Sequence, residues 1–254
     1  MIERKSAAEI ETMARAGRVV ADTLALLGEA VRSGMTTQDL DRVAEEYIRA
    51  QGGVPTFKGY RGFPASICTS PNSMVVHGIP GSYRIDDGDL LSVDVGVTLD
   101  GYVADSAYTF AVGEVPESSQ RLLEAGQAAL EAGIEQARAG NRIGDISAAI
   151  AAVAHGDGYS INTDFGGHGV GREMHGDPHV ANDGKAGRGY PLRAGLVLAL
   201  EPWFLQTTDE LITDPDGWTL RSADGSRGAH SEHTVAITEE GPIVLSDRSW
   251  LGVR

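Results

Sequence analysis

The sequence predicts an α+β fold made as one body, and three observations carry that expectation. Helical periodicity and strand-like alternation occur in the order helix, helix, strands, and then in that order again. Apolar residues recur at helical steps in the first kind of stretch and alternate in the second. No linker divides the chain, because residues 177–189, rich in glycine and charge, are too short to separate independent domains. No residue-level repeat accompanies the doubled order, so the duplication rests on element order alone.

Ser6 followed by Glu9 is a capping-box pattern, and Ile10, Met13, Val20, Leu24 and Leu27 mark the helical face behind it, ending near Gly34. Thr36 or Thr37 opens a second helix through Leu40, Val43, Tyr47 and Ile48, which Gly52-Gly53 stops. Strands follow at 65–69, at 74–77 and in a hairpin over 90–112. Pro116 opens a third helix with Leu122, Leu123, Leu130 and Ile134. A fourth carries Ile143, Ile146, Ile150 and Val153 up to Gly156. Residues 196–201 form an apolar strand closed by Pro202, with further strands expected at 204–212, 218–221 and 232–238.

The hairpin is the most informative element. Asp100-Gly101 is a strong tight-turn signal, because such a turn needs positive φ. Centred there, Leu99 pairs with Tyr102, Asp94 faces Ala107, and Asp105 faces Gly96. Asp94 and Asp105 are then diagonal neighbours on one face, roughly 7 Å apart at the backbone. Like charges so placed repel unless one is protonated or a cation lies between them, and Gly96 leaves room for that cation. Two ordinary aspartates on a solvated face read equally well from this hairpin alone.

Bulk properties narrow the class. A chain of 254 residues buries roughly 70–75% of its unfolded surface and needs no staples. The net charge of -15, from 36 acids against 21 Lys and Arg, argues against general binding to nucleic acid or anionic membranes. Cys68 is the single cysteine, so no disulfide forms within the chain and a reducing compartment is expected. No stretch approaches the ~18 apolar residues of a membrane helix. The first residues lack the apolar core of a secretory signal, and the cytoplasm is the expected location.

Three more residues join the aspartates. His168 lies in a glycine-rich stretch, Gly166 to Gly171, where bare backbone approaches other groups closely. Glu201 ends an apolar strand, and Glu232 begins another. Acids at the ends of buried strands cost free energy unless paired or coordinated, although strand ends also simply emerge into solvent. Carboxylates with one imidazole and no thiolate suit Mn, Fe, Co, Zn or Mg. Four acids neutralise two divalent ions better than one. The matching chemistry is a two-metal hydrolase centre, with one ion positioning substrate and both lowering the pKa of a bridging water. His77 and His175 lie beside these positions and read either as packing residues or as donors to a substrate carbonyl or oxyanion. His155, His179 and His230 lack such context, and His233 reads as packing or surface.

With these residues in place, the chain resembles the type I methionine aminopeptidases, most densely from Tyr60 to Thr238. The motifs are Asn72 to Pro80 (NSMVVHGIP), Val93 to Gly96 (VDVG), Gly101 to Ser106 (GYVADS) and Gly167 to His175 (GHGVGREMH). Glu201-Pro202, Asp216 to Thr219 (DGWT) and Glu232 to Thr234 (EHT) complete the series, which is specific in its order and spacing.

The resemblance implies a pita-bread fold, in which pseudo-twofold α/β halves each carry helices over a curved antiparallel sheet. It implies a single catalytic domain over residues 1–254, with approximate halves at 1–115 and 116–254. It implies two divalent ions (Co, Mn, Fe or Zn) held by Asp94, Asp105, His168, Glu201 and Glu232, with Asp105 and Glu232 bridging. Asp94 would hold one ion, and His168 and Glu201 the other. Glu201 would be the general base for a metal-bridging water, His77 would assist at the scissile amide, and His175 would stabilise the tetrahedral intermediate. The methionine pocket would include Tyr60, Phe63, Cys68 and Trp218, although Cys68 is equally a plain buried residue with an inert thiol.

The implied activity is removal of the initiator methionine from nascent chains with a small second residue, by a cytoplasmic monomer near the ribosome exit, without nucleic-acid or membrane partners. Met174 departs from the aromatic residue usual before the second histidine, and Ser231 from an aromatic residue in some members. A proline-specific peptidase of the same fold is disfavoured by the missing N-terminal domain and by the pocket set. A binding relative that has lost its ligands is disfavoured by the five ligands and the acidic charge.

Overall fold

The computed structural model describes residues 2–249. The first run of elements is α1 (Ala7–Ala30), α2 (Thr37–Ala50), β1 (Val54–Pro55), β2 (Ile67–Pro71), β3 (Met74–Val76), β4 (Leu90–Leu99) and β5 (Tyr102–Ala111). The second opens with α3 (Glu117–Gln136), α4 (Ile143–Asp157), β6 (Ser160–Ile161), β7 (Gly166–Gly169) and β8 (Gly176–Ala181). It continues through β9 (Val197–Leu200), β10 (Trp203–Leu205), β11 (Leu211–Thr213), β12 (Leu220–Ser222), β13 (Gly228–His230), β14 (His233–Ile237) and β15 (Pro242–Val244). The doubled order of helices and strands is therefore present.

Local chemistry explains the helix starts. The Glu9 amide donates to Ser6 Oγ while the Ser6 amide donates to Glu9 Oε2, closing the box at α1. Thr36 and Asp39 make the same exchange at α2. The hairpin is as the spacing predicts: Leu99 pairs with Tyr102, Asp94 with Ala107, and Gly96 with Asp105. Asp100 (φ 49) and Gly101 (φ 77) both take the left-handed conformation that a type I′ turn demands.

Each pair of helices covers the apolar face of a sheet. In the first half, Leu91, Val93, Val95 and Val97 of β4 pack under Val20, Leu24 and Leu27 of α1 and Leu40, Ala44 and Ile48 of α2. In the second, Leu198 and Leu200 of β9 and Val235 and Ile237 of β14 pack against Leu122 and Leu130 of α3 and Ile146 and Ile150 of α4. The opposite faces of the two sheets meet in the middle. There the Glu232 amide donates to the Ala107 carbonyl at 3.0 Å, and the Asp105 amide donates to Thr234 Oγ1 at 3.0 Å.

Three expectations change. The strand expected at 204–212 is two strands, β10 and β11. Between them the Thr207 hydroxyl donates to Asp224 Oδ2 and the Glu210 amide to Thr208 Oγ1, so polar side chains compete with the ladder and turn the chain. No strand was expected around His168, and the glycine-rich stretch there is strand β7. A Cβ at Gly167 would lie 2.2 Å from the Ala199 carbonyl oxygen, and one at Gly169 2.0 Å from that of Asp177, so glycine permits tight ladder contact on both sides. Gly96 does not leave a gap for a cation. A Cβ there would meet the Phe57 ring at 2.6 Å, so the glycine admits an aromatic edge instead.

Gly17 tests the packing of the C-terminal segment on α1. An exposed helical Gly→Ala change gains about 1 kcal/mol. Here the added Cβ would lie 2.2 Å from the Leu245 carbonyl oxygen. Gly17→Ala is therefore expected to lose about 1–3 kcal/mol in urea denaturation, and a gain would refute the contact.

Candidate metal centre

The hairpin supplies Asp94 and Asp105 on its inner face, as two-residue alternation along β4 and cross-strand pairing with β5 require. β7 supplies His168, the residue after β9 supplies Glu201, and the residue before β14 supplies Glu232. Asp105, His168, Glu201 and Glu232 are all buried. Asp105, His168 and Glu232 offer ligand atoms within 4.8 Å of one another. His168 Nε2 lies 3.6 Å from Asp105 Oδ2 and 3.5 Å from Glu201 Oε1. The five residues expected to gather do so around one cavity.

The tautomer of His168 follows from its neighbour. Its Nδ1 lies 3.0 Å from the Gly169 carbonyl oxygen, which only accepts, so Nδ1 carries the proton. The lone pair is then on Nε2, which faces the carboxylates and is free to ligate a cation. Burial and the neighbouring acids raise the carboxyls. Asp94, Glu201 and Glu232 are pushed well above their ordinary range, first by burial and then by one another and by Asp105. Asp105 rises to about 6, chiefly through burial. Asp94 Oδ1 is buried without a hydrogen-bond partner among the described residues. An orphaned carboxylate oxygen, a bare imidazole nitrogen and clustered acids are the donor set of a hard-to-borderline divalent cation, so these residues fit a metal.

The cavity that the five residues share has a volume of about 310 Å³, at the small end of the range for ligand pockets. Tyr60, Phe63, Cys68 and Trp218 line it, as expected for the pocket set. Met174, the departing residue, also lines it and is buried. Phe63 meets the Trp218 ring edge-on at 5.2 Å and Phe57 at 6.4 Å. Cys68 pairs with Asp94 across the sheet, and burial followed by the Asp94 charge pushes its thiol well above the usual range. The thiol is therefore inert, as read from the sequence.

His77 and His175 border the same cavity. His175 Nδ1 lies 2.8 Å from the Tyr60 hydroxyl. His77 takes φ 60, a conformation that costs a non-glycine residue about 1–3 kcal/mol and recurs where geometry serves a site. A wider cavity of about 850 Å³ shares His77, His168, His175 and Glu201 and opens past Phe165 and Trp203.

Sequence reasoning missed three participants. His230, read as lacking context, has Nε2 at 3.8 Å from both Glu201 Oε2 and Glu232 Oε2. Trp203 Nε1–H donates to Glu201 Oε2 at 2.9 Å. Thr234 Oγ1 donates to Asp105 Oδ1 at 3.0 Å. Each lies two residues from a proposed ligand, and that proximity in sequence is the signal that could have found it. His233, read as packing, bonds Ser246 Oγ at 2.8 Å and stays off the cluster.

A model of metallopeptidase family M24 matches residues 11–239. A methionine aminopeptidase of Clostridium perfringens is 47% identical over 246 residues, covering 97% of this chain and 99% of that one. Methionine aminopeptidase 1 of Mycobacterium tuberculosis is 44% identical over 253 residues, covering 97% and 95%. The crystal structure of methionine aminopeptidase from Rickettsia prowazekii superposes with a TM-score of 0.96 at 35% identity, covering 97% of this chain and 100% of that one.

The buried charges make stability depend on pH. Unfolded carboxyls ionise near their ordinary 3.8 or 4.5, while folded Asp105 holds its proton to about 6 and Asp94, Glu201 and Glu232 hold theirs well above the ordinary range. Their stabilisation is complete below the ordinary values and is lost as pH rises through the folded ones. Histidines act oppositely. Burial pushes His77 and His168 from 6.5 to about 4 and His230 to about 3, so their stabilisation is present above 6.5 and lost toward acid. The two effects oppose each other from pH 4.5 to 6.5, and above 6.5 the acids alone remain. Metal-stripped protein should therefore lose up to about 1.4 kcal/mol per pH unit for each acid still titrating. Urea midpoints across about pH 6.5–8.5, with chelator and with saturating Mn(II), test this. A falling midpoint only without metal is expected, and a rising one contradicts it.

Proposed function

The chain belongs to metallopeptidase family M24, among the type I methionine aminopeptidases of pita-bread fold, and from that premise we propose that it removes the initiator methionine from newly made chains whose second residue is small. The observation that carries this reading is a cavity of about 310 Å³ in which an aromatic wall faces a buried carboxylate–histidine cluster.

Asp94, Asp105, His168, Glu201 and Glu232 would hold two divalent ions. When bound, such ions supply Lewis-acid polarisation and ready ionisation of water near neutral pH. The methionine side chain enters between Phe63, Trp218, Tyr60, Cys68 and Met174, where a flexible thioether packs well against aromatic rings. Glu201 has Oε2 held by the Trp203 indole and Oε1 turned toward His168. It takes a proton from the attacking water and returns it to the departing amine. If the Tyr60 hydroxyl donates to His175 Nδ1, then Nε2 of His175 carries a proton toward the substrate and stabilises the tetrahedral oxyanion. His77 borders the cavity where the scissile amide would lie. Trp203 and Phe165, stacked at 5.3 Å, crowd the exit of the pocket and favour a small second residue. We read the enzyme as a cytoplasmic monomer that meets nascent chains near the ribosome. No described helix is long and apolar enough to cross a membrane.

Metal-stripped protein incubated with a Met-Ala-x peptide should release methionine only after Co, Mn, Fe or Zn is added, and should leave an x-Pro peptide intact. A Met-Leu-x peptide should be a poor substrate. Cleavage of x-Pro alone would move the chain to the proline-specific branch. Silence with every ion would make it a binding relative. Glu201→Gln should lower kcat by about 10²–10⁴-fold, and near-normal turnover would remove Glu201 from the proton path.

A further inference from the structure

His230 closes β13 at 2% exposure, and its Nε2 has no hydrogen-bond partner among the described residues. Leaving a buried polar atom unpaired costs about 1–3 kcal/mol. This nitrogen lies 3.8 Å from Glu201 Oε2 and 3.8 Å from Glu232 Oε2. Glu201 divides its oxygens: Oε2 accepts the Trp203 indole N–H at 2.9 Å, while Oε1 lies 3.5 Å from His168 Nε2. His230 thus faces the oxygen turned away from His168.

The imidazole is held where it is. The His230 amide donates to Thr109 Oγ1 at 2.9 Å, and its carbonyl accepts that hydroxyl at 2.9 Å. The ring packs edge-on against Trp203, with centroids 5.9 Å apart. A neutral imidazole carries one proton. A lone pair on Nε2 would add repulsion to two carboxylates, whereas a proton there makes the contact attractive.

We infer that His230 is a positioning residue, whose Nε2–H is shared by the Oε2 atoms of Glu201 and Glu232 and orients both carboxylates for cation binding. The proposal rests on the reading of Glu201 and Glu232 as metal ligands. It adds a third histidine that touches the ligands without joining them. Loss of such an outer hydrogen bond typically weakens metal affinity about 10–100-fold.

Stripped wild type, His230→Leu and His230→Gln are titrated with Co(II) by calorimetry, and their visible d–d spectra are compared. Leu should weaken Co(II) binding about 10–100-fold and alter the spectrum. Gln, whose amide N–H reaches the Nε2 position, should restore most of the affinity and the spectrum. A purely structural role would lower stability yet leave the cobalt spectrum of folded variants unchanged. Wild-type affinity in the Leu variant, or a Gln variant as weak as Leu, overturns the proposal. Should His230→Leu not fold, long-range ¹H–¹⁵N NMR of metal-free wild type, taken at alkaline pH where Glu201 and Glu232 are ionised, still decides. A proton on Nε2 is expected, and a bare Nε2 overturns the proposal. Failure of wild type to bind any cobalt would instead count against the metal centre itself, and the tautomer measurement separates the two.

Discussion

Asp94, Asp105, Glu201 and Glu232 sit in one another's electric fields, in a place where water does not screen them. Burial raises every one of their carboxyls, and repulsion from neighbouring acids adds to it at Asp94, Glu201 and Glu232. Neutral donors relieve part of the strain, through the Trp203 indole on Glu201 and the Thr234 hydroxyl on Asp105. Hydrogen bonds do not cancel net charge, however. The nearest buried cation, Arg248, points its Nη1 at Ser106 Oγ and at the carbonyls of Ala107 and Glu232. It braces the backbone that carries the ligands while leaving the carboxylates negative. The compensating charge must come from outside the chain, which is the physical content of a metal site.

That arrangement requires both sheets. One hairpin carries Asp94 and Asp105, and the second half carries His168, Glu201 and Glu232. The inner faces are stitched at the site itself. Ser106 Oγ donates to the Glu232 carbonyl at 2.5 Å, beside the backbone bond from Glu232 to Ala107. Each apolar outer face is sealed by its own pair of helices, so hydrophobic burial supplies the force that presses the polar faces together. The cluster is repulsive in itself and persists because the cores on either side overrule it.

Much of this was legible in the sequence because local rules act on few residues. The Asp100-Gly101 turn sets the hairpin register, and register decides which face each aspartate takes. Capping pairs at Ser6 and Thr36 mark helix starts by a chemistry confined to three residues. Strands of two to four residues such as β1, β6 and β13 carry too little periodicity to register, and β7 is masked by its glycines. The site follows the same division. Residues at the ends of clear strands stood out, while His230, at the end of a three-residue strand, did not. Its role depends on Glu201 lying beside Glu232 at the end of the β9–β14 ladder, a pairing of strands far apart in the sequence. Gly96 shows the opposite failure, since its pairing was read correctly and its neighbour, Phe57, lies outside the hairpin.

Selectivity for a chain terminus follows from the same strand pair. Cys68 of β2 and Asp94 of β4 are direct partners, so one cross-strand step joins the pocket to the cluster. The distance from side-chain pocket to reacting bond is therefore fixed by register rather than by a flexible loop, and a slip of one residue would turn both away together. Beyond Cys68 the pocket ends against the buried rings of Phe57 and Phe63, with Trp218 edge-on to Phe63. A volume of about 310 Å³, shared with the cluster, is on the scale of one residue. A substrate that begins at the residue it presents fits that space. Past Trp203 and Phe165 lies the wider cavity of about 850 Å³. An end walled by rings beside the cluster and a wider one beyond it suit an aminopeptidase, and both follow from one hairpin packed against one aromatic wall.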